Sequence, residues 1–397
     1  MTIKYLSIPG GGFPQVFVTY GILKYLSKKK IINYKDIEVI NATSAGAMNG
    51  LLLLLNIDYE ILDNFVFNRP WDEVFNISKS DILNLYYKKG LRDIELFLKT
   101  LEPLLKYKNL SSESTLLELY NITNITFNIY TTKVNTLETV VFNHIDFPNY
   151  KIVDCIYMSC CIPGVFTPYY DISSNYTFID GSLLVNSPFL DIFKNNKLND
   201  YELLVLDNAI DENEIYNIDK YCKNNKNHFD IISNYDISYC YNIINDSGNY
   251  KFLNFDFSIN DISNNTNDIS NNTNDISNNT NDNLFELKKD ISFLNFFIYL
   301  IKIIIYKFNK FKYNIFYIDV NKNLKKNKNI EYLYINTYHK QNRFDYTEWK
   351  NVLNNKLFRY KLTIYGMNLC YTVENYHKFI NNLAYKFKKN DSYILIE

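Results

Sequence analysis

Two short runs near the N-terminus carry residue types from which covalent chemistry can be built: Gly10-Gly11-Gly12 and Ala42-Thr43-Ser44-Ala45-Gly46. The second follows a short apolar stretch, Asp36-Ile37-Glu38-Val39-Ile40, and opens a nearly all-apolar one, Ala45 to Leu55. The small residues at Ala42 and Gly46 are what a sharp strand-to-helix turn requires, because neighbouring backbone crowds those two positions. A serine raised on such a turn is a nucleophile at the positive end of a helix, where developing negative charge is stabilised. The same Thr-Ser pair also suits a plain helix N-cap. Gly10-Gly11-Gly12 follows Tyr5-Leu6-Ser7-Ile8, and its bare backbone can bring two N–H donors to the same sheet edge as an oxyanion hole. A tight turn and a phosphate cradle are the competing readings of that triplet. The phosphate reading fails on spacing, since Phe13-Pro14-Gln15 completes neither G-x-G-x-x-G nor Gly-Lys-Ser/Thr. A nucleophile beside oxyanion donors is the equipment of acyl transfer.

Ser44 needs a base. The four histidines, His144, His228, His339 and His377, stand at no compelling strand exit, which leaves a Ser-His-Asp triad without support. Asp180 is the better candidate. It ends the short strand Tyr176-Thr177-Phe178-Ile179, and Gly181 after it leaves room for close carboxylate–hydroxyl approach. A turn aspartate is the plain alternative. A carboxylate is a weak base for a hydroxyl, so a dry pocket and strong oxyanion stabilisation would supply the remaining driving force.

The elements that must position these groups alternate between strand and helix. Tyr5 to Ile8 reads as a buried strand, Val16 to Leu26 as a helix with apolar residues at helical spacing, Asp36 to Ile40 as a strand and Ala45 to Leu55 as a central helix. This order implies an α/β fold with a mostly parallel sheet buried on both faces. Residues 58–108 read as helical with breaks at Pro70, Gly90 and Pro103, Leu91 to Leu101 being the clearest element. Thr115-Leu116-Leu117-Glu118 is a capping-box pattern. Residues 125–132 and 137–143 alternate as strands, Val153 to Cys161 reads as a helix, and Leu203 to Leu206 as a further strand. Beyond residue 250 the organisation changes. Residues 260–280 are three copies of Asn-Asp-Ile-Ser-Asn-Asn-Thr, too poor in apolar groups to fold alone or to form a coiled-coil seam. Ile291 to Phe308 is strongly apolar but interrupted by Asn295, Lys302 and Lys307, which suits a buried or surface-docking helix better than a membrane span. A strand near Asn314 to Val320 and helices at Tyr346 to Leu357 and Met367 to Phe387 complete the reading. Three regions are therefore expected: a catalytic core over 1–250, a disordered Asn/Asp-rich insertion over 251–290, and a C-terminal helical region over 291–397 completing the same domain.

Composition narrows the function further. The 397 residues suffice for a sizeable core, and a formal net charge of -1 argues against a nucleic-acid partner, which requires clustered Lys and Arg. With only 11 glycines in the chain, three in a row are not drift. Cys155, Cys160, Cys161, Cys222, Cys240 and Cys370 show neither zinc spacing nor the density of a disulfide framework, so reduced thiols are expected. The N-terminus reaches Gly10 without a signal-length apolar run, implying an intracellular protein, cytoplasmic or peripheral to a membrane.

Taken in order, these landmarks resemble the patatin-like phospholipase family across residues 3–208. The family's oxyanion loop is similar to Gly10-Gly11-Gly12 with the helix through Tyr20-Gly21-Ile22-Leu23, and its G-x-S-x-G motif to Ala42-Thr43-Ser44-Ala45-Gly46. Its D-G-G/A motif resembles Asp180-Gly181-Ser182. Its cysteine–isoleucine–proline–glycine segment resembles Ser159-Cys160-Cys161-Ile162-Pro163-Gly164-Val165-Phe166-Thr167-Pro168, and Ser114 to Leu119 resembles a family helix. The departures are Pro14 and Gln15 where the family closes its loop with a basic residue and glycine, Ala42 for a glycine, and Ser182 for a glycine. The pattern is similar to divergent members of large DNA viruses. The resemblance implies a three-layer α/β/α fold with Ser44 as nucleophile, Asp180 as base and no cofactor or metal. It further implies hydrolysis of a phospholipid or another acyl lipid, with transient membrane-surface contact. A neutral-lipid or lysophospholipid hydrolase, or an inactive lipid-binding protein, are the alternatives.

Overall fold

The apolar runs before the glycine triplet and before Ser44 become neighbouring strands: β1 (Tyr5–Ile8) pairs in parallel with β2 (Val39–Thr43), Ile8 lying opposite Ala42. The structure, a computed structural model, describes residues 2–74, 85, 88–136, 138–199, 202–208, 333–337 and 346–379. Among the described residues the sheet runs in the order β10 (Leu333–Asn336), β9 (Leu203–Asp207), β1, β2, β4 (Thr126–Lys133), β8 (Tyr176–Asp180), β7 (Tyr169–Asp171). β10, β9, β1, β2 and β4 are parallel; β8 runs antiparallel to β4 and β7 antiparallel to β8, and β5 (Glu138–Phe142) pairs antiparallel on the other edge of β4. A separate parallel pair joins β3 (Gly90–Arg92) to β6 (Gly164–Phe166).

Strand periodicity divides the apolar residues between two cores. Leu6, Ile8, Ile40, Ala42, Leu204 and Leu206 enter the main core, while Tyr5, Leu203 and Val205 enter a smaller one with Phe189, Ile192 and Phe193. Both faces are thus buried, which explains why these strands read as continuous apolar runs rather than alternating ones. The main face is covered by α1 (Gly12–Lys28), α2 (Ala45–Leu54), α7 (Ile152–Cys160) and α10 (Lys356–Phe379), and the other by α8 (Leu190–Asn195). The result is a three-layer α/β/α architecture. The remaining helices are α3 (Tyr59–Asn68), α4 (Trp71–Val74), α5 (Glu95–Lys106), α6 (Leu116–Thr123) and α9 (Tyr346–Asn354).

Several elements differ from expectation for identifiable reasons. α1 begins at Gly12 rather than Val16, with Pro14 in its first turn, where a missing N–H leaves no intrahelical bond unmade. Pro103 does not break α5. The carbonyl it frees, Lys99 O, accepts instead from Arg69 Nη2 at 2.8 Å. The capping box is formed: Thr115 accepts from the Glu118 N–H while the Glu118 carboxylate accepts from the Thr115 N–H. α10 begins at Lys356 instead of Met367 and crosses α1 closely at Gly366, where a methyl would come 2.0 Å from Val18 O. Ile335, Val352, Tyr360, Leu362, Ile364 and Met367 share the main core with β1 and β2, so the described C-terminal elements pack into the same unit. The expected insertion at 251–290 with its repeat at 260–280, the apolar run Ile291 to Phe308 and the strand near Asn314 to Val320 lie outside the described residues. Among the described residues no helix is long and apolar enough to cross a membrane.

Candidate active site

β4 is the ruler that brings Ser44 and Asp180 together. β2 runs parallel to it, with Thr43 opposite Tyr130, and β8 runs antiparallel, with Asp180 opposite Thr131. Because β5 occupies the other edge of β4 at these residues, β2 and β8 share one edge and meet tip to tip at adjacent positions. Ser44 leaves the end of β2 as Asp180 leaves the end of β8. Both are buried, at 3% and 5% exposure.

Ser44 adopts φ 52°, ψ −124°, a conformation that costs a non-glycine residue about 1–3 kcal/mol. Its backbone is held from behind. The Ser44 N–H donates to Ser159 Oγ at 2.8 Å, and that hydroxyl donates to Tyr130 O at 2.7 Å. Although Ser44 occupies the N-cap position of α2, its side chain makes no capping bond. Its hydroxyl donates instead to Asp180 Oδ2 at 2.7 Å. The second carboxylate oxygen, Oδ1, accepts from the Ser182 N–H at 2.7 Å, which orients the group. Gly46 lets α2 approach β1: a methyl there would lie 2.4 Å from Ile8 O. Ala42, where the resembling motif has glycine, is accommodated because its methyl fills the main core.

The glycine loop lies beside this pair. A side chain on Gly10 would fall 3.1 Å from Ser44 Cβ and 2.1 Å from Ser182 Oγ, so Ser182 fits only against a bare Cα. Gly11 and Gly12 have φ of 148° and 73°, and Gly11, at the N-cap of α1, makes no side-chain capping bond. The Gly10 N–H donates to Asn186 O at 3.1 Å, and the Gly10 carbonyl accepts from Asn208 Nδ2. Pro14 and Gln15 sit inside α1, and Gln15 is fully buried against Gly11, donating from Nε2 to Thr19 Oγ1 at 3.1 Å.

Burial shifts several other titratable groups toward their neutral forms. Burial, and then the Asp180 charge, pushes the Cys160 and Cys161 thiols well up, and among the described residues no disulfide joins them, Cys155 or Cys370. Behind the turn, burial and then the Asp191 charge raise the Tyr130 hydroxyl, which donates to Asp191 Oδ2 at 2.9 Å and accepts from Asn41 Nδ2 at 3.0 Å. His144 stacks on Tyr120 with ring centroids 3.6 Å apart, and burial lowers its imidazole.

Three residues of this assembly carry no recognisable local signal as parts of a site. Ser159 lies in a segment singled out by resemblance alone, Asn186 follows Asp180 by six positions, and Asn208 is the first residue after β9. Only the fold shows that they grip Ser44 and Gly10.

A family model described as Patatin-like phospholipase matches residues 6–193. The chain is similar to VipD from Legionella pneumophila at 16% identity, over 56% of this chain and 53% of that one, with TM-score 0.38. It is similar to the type III effector ExoU of Pseudomonas aeruginosa at 16% identity, over 55% and 46%, with TM-score 0.31. For human GIVD cytosolic phospholipase A2 the identity is 12%, over 58% and 46%, with TM-score 0.34. The chain thus spans about half the length of the solved structures it matches. No curated protein sequence matches it.

Proposed function

We propose that this chain, with its patatin-like segment over residues 6–193, is a serine acyl hydrolase that cleaves carboxylic ester bonds of phospholipids through Ser44 and Asp180. The observation that carries the reading is the 2.7 Å bond from Ser44 Oγ to Asp180 Oδ2, made by a serine strained to φ 52° at the mouth of a helix. Ser44 Oγ forms a bond to the acyl carbonyl carbon as its proton passes to Asp180. The carbonyl oxygen becomes an oxyanion, stabilised by backbone N–H groups and the positive end of α2. The donors assigned are Gly11 and Gly12, because the Gly10 N–H is already committed to Asn186. As the ester C–O bond breaks, Asp180 returns the proton to the leaving alcohol. Water, losing a proton to Asp180, then attacks the acyl-serine; the acyl C–Oγ bond breaks, Asp180 returns the proton to Ser44 Oγ, and the fatty acid departs. The burial of both groups supports a dry site in which a carboxylate suffices as base. The substrate would be presented by a lipid surface met transiently.

Product profiling tests the reading directly. The parent, Ser44→Ala and Asp180→Asn are incubated with vesicles of phospholipid, with lysophospholipid and with neutral glyceride. The parent should release fatty acid from phospholipid, and each variant should lose at least about 100-fold in rate. In Asp180→Asn the amide oxygen is drawn to the Ser182 N–H, turning the amide nitrogen toward Ser44, so the hydroxyl loses its acceptor. Activity unaffected by Ser44→Ala would remove the assigned nucleophile. Release from glyceride or lysophospholipid alone would reassign the substrate, and lipid binding without turnover would identify an inactive lipid-binding protein.

A further inference from the structure

We propose that Asn208, tied to Asn186, is a positioning residue that sets the orientation of the Gly10–Gly11 peptide and so aims the Gly11 N–H; the proposal rests on the acyl-hydrolase reading above. The peptide bond is planar and trans, so the Gly10 C=O and the Gly11 N–H point in opposite directions. Whatever holds the carbonyl therefore aims the amide. This unit is flanked by two glycines, the residues whose backbone turns over most freely because no Cβ opposes it. A flipped peptide would present a carbonyl oxygen where a developing oxyanion needs a donor.

The carbonyl of this unit and the N–H of the peptide before it are both held. The Gly10 N–H donates to Asn186 O at 3.1 Å, and the Gly10 carbonyl accepts from Asn208 Nδ2. The other end of the Asn208 amide, Oδ1, accepts from Asn186 Nδ2, so the amide cannot rotate without losing a partner at each end. Asn208 is 1% exposed, and its own N–H donates to Asp207 Oδ1 at 2.7 Å. It reaches Gly10 because β9 lies parallel to β1, Val205 opposite Ser7, which puts both strand exits at one edge. Asn186 stands on the segment that leaves Asp180, so the base and the clamp on the glycine loop share one stretch of chain.

The test compares the full chain with Asn208→Asp and Asn208→Ala. The aspartate variant keeps the shape and the acceptor for Asn186 while putting a charged oxygen, which repels the Gly10 carbonyl, in place of the donor. Expected is a fall in kcat of about 10- to 100-fold with KM within about twofold, short of the full loss of one oxyanion donor. Affinity for a trifluoromethyl ketone, whose adduct with serine carries an oxyanion, should fall by the same factor. Labelling with 15N-glycine gives one amide resonance for each of the 11 glycines. The Gly11 resonance should shift or double while Gly90 and Gly366 hold. Unchanged kcat, a rise in KM alone, or an unmoved Gly11 resonance would overturn the proposal. Should Asn208→Ala not fold, Asn208→Asp decides, and if neither folds Asn208 is a folding residue and the proposal fails. Full activity in Ser44→Ala would defeat the hydrolase reading, yet the glycine spectra would still decide the clamp.

Discussion

Replacing Ser159 with alanine should relax the strain held at Ser44 and, with it, the aim of the Ser44 hydroxyl. The Ser159 hydroxyl accepts from the Ser44 N–H at 2.8 Å and donates to Tyr130 O at 2.7 Å, and it is fully buried. Its loss leaves one backbone donor and one acceptor short of a partner in a water-poor interior. Each such group costs about 1–3 kcal/mol, and the carbonyl, with two lone pairs, belongs at the low end. The expected loss of folding stability is therefore about 2–4 kcal/mol, a large share of the total for most domains. The elbow itself is held about 1–3 kcal/mol above relaxed backbone, and the Ser159 bond opposes that relaxation. Freed of it, the share of molecules with Ser44 Oγ directed at Asp180 should drop by about 5- to 150-fold. Urea unfolding followed by tryptophan fluorescence measures the first quantity, and initial rates on a soluble p-nitrophenyl ester measure the second. The two should fall together, with kcat carrying the loss. A Ser159→Ala protein with stability within about 0.5 kcal/mol of the parent and kcat within twofold would refute the reasoning, because neither the bond nor the strain would then matter.

Two further outcomes follow from groups away from the site. Lys24 and Asp63 form a fully buried ion pair between α1 and α3, with Tyr20 donating to the other Asp63 oxygen at 2.6 Å. Lys24→Met alone should cost about 3–5 kcal/mol by stranding the carboxylate, whereas Lys24→Met with Asp63→Leu and Tyr20→Phe, which leaves no polar partner stranded, should recover most of it, as read from urea midpoints. Alkaline titration should show two opposed trends. Burial lowers the Lys24 amine from 10.5 to about 8, so the unfolded chain holds its proton longer and this group adds stability as pH rises from about 8 to 10.5. Burial raises the hydroxyls of Tyr20, Tyr130 and Tyr157 above 10, so the stability they carry is intact below pH 10 and is lost at higher pH. The parent's midpoint should hold or rise from pH 8 to 10 and then fall, and Lys24→Met should abolish the rise; a parent midpoint falling from pH 8 onward would contradict this.

What is decided within a few residues can be read from the chain alone. The turn at Ser44, the positive φ at Gly11 and Gly12 and the capping box at Thr115 and Glu118 all follow from short-range sterics and neighbouring hydrogen bonds. The alternation of strand and helix over the first 55 residues, and the burial of both sheet faces, were likewise legible, because continuous apolar strands have nowhere else to go. Pro103 was misleading for the opposite reason: what rescues α5 is Arg69, distant in sequence and invisible to any local rule. Asp180 could be nominated from its strand exit. That it touches Ser44, 136 residues away, was settled by the register of two strands on β4, a long-range quantity. The same holds for the glycine loop, whose triplet was plain in the sequence. Which of its N–H groups is already spent, and which side chains grip it, depend on Asn186 and Asn208 arriving from other strand exits. Local sterics wrote the parts of the site; the pairing of strands chose their partners.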